Sequence, residues 1–107
     1  MGRIEVFNKF KRLTMHLEYR LYGKFTTMDY HSKDFYFELI AIKRLILDIY
    51  FELVLMDNFH YNSFEMSEIK KLKCQFKNLK YNFHVIEDLY RNLMGEALYD
   101  SLILQDL

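Results

Sequence analysis

The sequence contains no proline, no tryptophan, three glycines and a single cysteine among 107 residues. Each shortage excludes something. One thiol closes no internal disulfide and supports no multi-cysteine zinc site. Glycines at positions 2, 23 and 95 cannot build a phosphate-cradling loop. With no proline and so little glycine, nothing interrupts a helix once it has begun, so long helices follow. The turn pairs that mark hairpins are missing, and strict period-two alternation never persists, which excludes a β architecture. Net charge is missing too: 15 basic residues balance 15 acidic ones. That balance argues against a wholesale polyanion binder and leaves local patches open.

What is present is apolar and aromatic. Hydrophobic residues make up 51% of the chain and aromatics 18%, which excludes intrinsic disorder. The length fits one domain over residues 1–107, large enough to bury its own core. Residues with AT-rich codons (Phe, Tyr, Met, Ile, Asn, Lys) number 49, against 10 with GC-rich codons (Gly, Ala, Arg, Pro). Such a bias points to an AT-rich genome, as in low-GC bacteria, their phages and mobile elements. Charges interrupt every short apolar run of MGRIEVFNKFKR, so no signal peptide is expected. The greasiest stretch, Phe35 to Met56, carries Glu38, Lys43, Arg44, Asp48 and Glu52. Each would cost about 2.5–3.5 kcal/mol near a bilayer centre, so no membrane partner and a cytoplasmic location are expected.

Periodicity predicts an all-α antiparallel bundle of three long helices plus a short C-terminal one. The first runs from Arg3 to Tyr22 on the stripe Val6, Phe10, Leu13, Leu17 and Leu21, with Gly23 as its stop. The second carries Phe35, Leu39, Ile42, Ile46, Ile49, Leu53 and Met56, widened by Ile40, Leu47, Tyr50 and Val54. So wide a face predicts a central helix packed against more than one neighbour. Asn62 and Glu65 have the spacing of a capping box ahead of the third helix. Its stripe is the most regular: Ile69, Leu72, Phe76, Leu79, Phe83, Ile86, Tyr90, Leu93 and Ala97. Gly95 predicts a bend or break, and Met94, Leu98, Leu102 and Ile103 then form the short fourth helix. The first helix is too short to cover this seam. Leu72, Phe76, Leu79 and Phe83 are therefore the expected contact of a homodimer, the alternative being that the fourth helix folds back over them.

Charge is arranged in blocks. Residues 1–33 carry seven cations against three acids, and residues 34–68 two against seven. Residues 69–80 hold Lys70, Lys71, Lys73, Lys77 and Lys80 with no acid, and the remainder has Arg91 against five acids. In one reading the blocks neutralise one another across the bundle, with Glu38, Asp48 and Glu52 opposite the third-helix lysines. In the other, Lys70, Lys73, Lys77 and Lys80 form a partner-binding stripe joined by Lys9, Lys11 and Arg12, with Tyr81 as a stacking platform.

Reaction chemistry finds no foothold. No Glu-x-x-His pair exists for a di-iron site, and His16, His31, His60 and His84 are too dispersed for metal ligation. Arg12 and His16 have only three residues between them, short of the Arg-x4–6-His spacing of helical ribonucleases. Cys74, one turn from Phe76 and Leu79, reads as a small buried hydrophobe despite its lysine neighbours. Adjacent Glu87 and Asp88 point apart on a helix. No enzyme class, metal or cofactor is expected.

In outline the layout resembles three groups of small helical proteins, through segments such as LYGKF (21–25) and IEDLYRNLMGEAL (86–98). These are accessory proteins of diversity-generating retroelements, bacteriocin immunity bundles, and phage inhibitors including anti-CRISPR proteins. The proline that commonly separates the first two helices of the retroelement group is absent, and no residue role carries over. The expected function is a non-catalytic regulatory protein of a phage or mobile element that binds and inhibits a host protein machine. The alternative is a nucleic-acid-binding accessory subunit using the lysine stripe.

Overall fold

The computed structural model describes residues 2–95, and among them there are helices and turns but no strand. Three long helices dominate: α1 (Arg3–Glu18), α2 (Lys33–Met56) and α3 (Ser63–Met94). The expected short C-terminal helix falls outside the described residues.

α1 does not stop at Gly23. It passes into a π-helical turn, Tyr19–Lys24, and then a 3-10 turn, Phe25–Thr27. The physical reason lies in the apolar spacing. Leu17, Leu21 and Phe25 recur every four residues, a step that drifts around an α-helix by about 40° each time. A wider turn cancels that drift, and all three side chains are essentially fully buried. Gly23 is needed for no positive φ.

The other ends follow local chemistry. Ser32 caps α2, its hydroxyl accepting the Phe35 N–H at 3.1 Å. Asn62 accepts the Glu65 N–H at 2.8 Å, and the Glu65 carboxylate accepts the Asn62 N–H at 2.9 Å. This is the capping box that satisfies two otherwise orphaned donors. At the far end Gly95 has φ +82°, the left-handed region that glycine enters without steric cost, and α3 stops there.

Contacts between helices set the topology. Lys9 meets Glu52 and Arg20 meets Glu38, so α1 and α2 run antiparallel. Phe35 packs on Tyr90 and Tyr50 on Phe76, so α2 and α3 do too. Arg3 with Glu65 and Gln75 with Glu18 place α1 parallel to α3.

The α3 seam is covered within one chain, which corrects its assignment as a dimer contact. Leu72, Phe76, Leu79 and Phe83 are all buried, Phe83 completely. α1 alone is indeed too short, but its turns and the start of α2 continue the cover. Tyr22 bonds Asn82, the Phe25 ring lies 6.3 Å from Phe83, and Phe35 lies 4.9 Å from Tyr90. The opposite correction applies to α2. Eleven of its 24 residues are buried, and of the expected flank Ile40 is buried and Tyr50 packs on Phe76 of α3, yet Leu47 and Val54 are exposed. No neighbouring helix covers those two among the described residues.

One buried carboxylate makes stability depend on pH. Glu38 is nearly fully buried, and burial alone would raise its pKa. Arg20 outweighs this by donating from Nε at 2.7 Å and Nη2 at 2.9 Å, with Lys24 adding its charge at 3.6 Å. The carboxyl is held below its ordinary value of 4.5. A group whose pKa falls on folding stabilises the fold above the unfolded value and loses that contribution as pH drops through the folded one. Urea unfolding from pH 7 down to pH 3 should therefore show stability falling below about 4.5. Arg20→Ala should flatten that fall, and an unchanged slope would rule out this pair as its cause.

Candidate functional site

The ion pairs decide which charges folding uses. Arg3 pairs with Glu65, Lys9 with Glu52 at 2.9 Å, Lys11 with Glu68 at 3.5 Å, and Arg20 and Lys24 with Glu38. Every one of these joins the first basic block to the acidic block that follows it. Lys43 then reaches Glu87 at 2.7 Å, and His84 lies 3.3 Å from the other oxygen of the same carboxylate. The block 69–80 is left over. Among the described residues, no acid pairs with Lys70, Lys71, Lys73, Lys77 or Lys80.

Lys70, Lys73 and Lys77 are exposed and Lys80 is half-buried. At 100° per residue the four fall within about 80° of the α3 circumference and along about 15 Å of its axis. They form a ridge beside the buried seam, kept apart from it by less than half a turn. Lys80 is its anchored end. Its ammonium donates to the Tyr50 hydroxyl and sits 5.1 Å from the centre of that ring, a cation–π contact between α3 and α2.

α1 does not extend the ridge, contrary to the sequence reading. Lys9 and Lys11 point to opposite edges of α1, one towards α2 and the other towards α3. Arg12 is exposed on the outer side of α1, and no contact among the described residues joins it to the α3 lysines. The proposed opposing acids are also accounted for elsewhere: Glu38 and Glu52 serve α1 and its turn, and Asp48 faces solvent.

Beside Lys80 the ridge opens into a groove between α2 and α3 of about 220 Å3. Ile46 and Phe83 floor it, and Lys43, Tyr50, Lys80 and His84 stand around it. Tyr50, Lys43 and His84 were not picked out as site residues from the sequence. The signal was Glu87, an acid at a stripe position between Phe83 and Tyr90 that needed a cation from a neighbouring helix. The structure shows it buried and served by Lys43.

Tyr81 stands 68% exposed next to the ridge, and Val85 follows one turn later. Cys74 is exposed rather than buried as expected, because it lies on the lysine side of α3 and not on the seam. Among the described residues no three His, Cys, Asp or Glu side chains gather to hold a metal ion. No helix among them is long and apolar enough to cross a membrane. Comparison with known protein families, with curated proteins and with solved structures gives no match.

Proposed function

We propose that the protein is a non-catalytic interaction module that docks on an acidic surface of a partner protein through the α3 ridge. In the AT-rich setting its composition indicates, that partner is a host machine met by a phage or mobile-element product, which docking would inhibit. One observation carries the reading: α1 and its turn take up acids of α2 and α3, while Lys70, Lys73, Lys77 and Lys80 have none. Like charges at helical spacing repel by a few tenths of a kcal/mol per pair, a cost that no ion pair offsets, the Lys80–Tyr50 contact being the one return in the fold among the described residues. The exposed Tyr81 and Val85 beside them favour a protein over nucleic acid, since an aliphatic side chain offers no stacking platform.

The test uses one variant, with Lys70, Lys73, Lys77 and Lys80 all changed to Gln. Affinity capture from a low-GC bacterial host should recover a protein with the wild type and lose it with the variant. Recovery of the same protein by both would remove the ridge from the account. The nucleic-acid reading, favoured only by the lysine content, has its own signature. Binding to a generic DNA duplex would weaken steeply with salt, with a slope of about −0.9 per phosphate neutralised, and the variant would flatten it.

A further inference from the structure

We infer that the outward face of α2 is the contact between two copies of this chain. Phe37, Leu47, Phe51 and Val54 stand 57–64% exposed on that face. With exposed Arg44 and with Ile40, which is itself buried, they repeat at alternating three- and four-residue steps from 37 to 54, the period of a paired-helix seam. The stripe covers about 26 Å of helix. An apolar face of that length, interrupted by Arg44, marks an interaction surface, unlike hydrophobic residues scattered singly.

The stripe is complementary to itself in one orientation. Laid antiparallel on a second copy, Phe37 meets Val54, Ile40 meets Phe51 and Arg44 meets Leu47. All three pairs fall in a single register, because each is symmetric about the midpoint between residues 45 and 46. A two-fold axis there makes every contact occur twice. Shape agrees with the register. Phe37, Ile40, Ala41 and Arg44 line a hollow of about 270 Å3, left open by the small Ala41, and Phe51 of the second copy projects into it.

Charge agrees as well. With its stem on Leu47 of the second copy, Arg44 brings its guanidinium beside the next residue there, Asp48. A parallel pair would instead set Arg44 against Arg44 and Asp48 against Asp48, and like charges across an interface are costly. A purely acidic partner would meet Asp48 with the wrong sign. A second copy matches both signs at once. This inference does not depend on the lysine ridge, although Leu47 borders both surfaces.

Sedimentation or light scattering at tens of micromolar should give the wild type twice the 13.2 kDa of one chain. Leu47→Glu with Phe51→Glu should give the single-chain mass with an unchanged helical circular dichroism spectrum, since both side chains are exposed. Arg44→Asp and Asp48→Arg should each weaken association by at least about tenfold. Mixed in equal amounts, those two variants should form a dimer again, because every Asp of one then meets an Arg of the other. The variant with the four ridge lysines changed to Gln should remain a dimer. A wild type of single-chain mass would overturn the inference, as would a dimer indifferent to Leu47 and Phe51. Dimerisation only after removal of residues 96–107 would overturn it too, by giving the face to the chain's own end.

Discussion

Replacing Phe83 by Asp is expected to unfold the chain, not to separate it from a partner copy. Phe83 has no exposed surface, and Phe25 lies over it with ring centres 6.3 Å apart. Truncating such a buried ring to Ala costs about 3–5 kcal/mol, from lost transfer energy and the cavity left behind. A domain of this size has about 5–15 kcal/mol of stability in total. Phe83→Ala should therefore leave a marginal fold with a much lower urea midpoint. Phe83→Asp adds an unpaired buried charge and should abolish the cooperative transition altogether. Phe51, 61% exposed, offers the contrast: at a position with no buried contacts, a polar substitution usually changes single-chain stability by under about 0.5 kcal/mol. A Phe83→Asp chain that kept its helical signal and cooperative unfolding would contradict the buried seam.

The second large effect is expected at Lys9 and Glu52. Glu52 is 1% exposed and its Oε1 meets Lys9 Nζ at 2.9 Å. Its Oε2 is buried with no hydrogen-bond partner among the described residues. Breaking a buried ion pair from one side costs about 3–5 kcal/mol, because the remaining charge stays desolvated. Lys9 is 39% exposed, which places Lys9→Met at the lower end, near 3 kcal/mol. Changing both residues to Met removes the desolvated charge and the unsatisfied oxygen together. That double variant should match or exceed the wild type, as apolar replacements of buried pairs commonly do. A double-mutant cycle in urea checks both limbs. Equal losses for the single and double variants would show that packing of the Lys9 stem, not charge, matters at this site.

Much of this was legible in the sequence, and the misses share one cause. Missing proline and the stripes beginning at Val6, Phe35 and Ile69 gave the three helices. Asn62 with Glu65 gave the start of α3, and Gly95 its end. Periodicity reports which residues share a face, but not which face meets a neighbour. α2 carries two stripes, one through Leu39, Ile42 and Ile49 and another through Phe37, Leu47 and Phe51. Only the first is buried within the chain. Helix lengths alone accordingly point to an exposed seam on α3, where the turns after α1 in fact supply the cover. The π turn left no mark beyond the four-residue spacing of Leu17, Leu21 and Phe25.

The charge blocks are legible in the sequence as blocks, but their partners only in part. One of the two readings of the sequence sets Glu38, Asp48 and Glu52 opposite the third-helix lysines, whereas Glu38 and Glu52 face the first helix and its turn and Asp48 is exposed. The clue lay in the positions of the two glutamates. Each sits inside an apolar stripe of α2, so each had to be buried and to draw a cation from the helix packed closest to it. That helix is α1, which leaves the lysines of α3 without an acid among the described residues.

That surplus is the centre of the account, and its stability consequence tests it most directly. Urea unfolding of the variant with Lys70, Lys73, Lys77 and Lys80 changed to Gln should be compared with wild type at low and high salt. Lys70, Lys73 and Lys77 are exposed and pair with no acid among the described residues, while Lys80 is half-buried against Tyr50. Relief of the repulsion offsets loss of that one contact and predicts a variant within about 1 kcal/mol of the wild type, with the repulsive part shrinking as salt screens it. A variant less stable by more than about 1 kcal/mol would show that these lysines are spent on the fold, and would contradict the ridge as a surface kept for a partner.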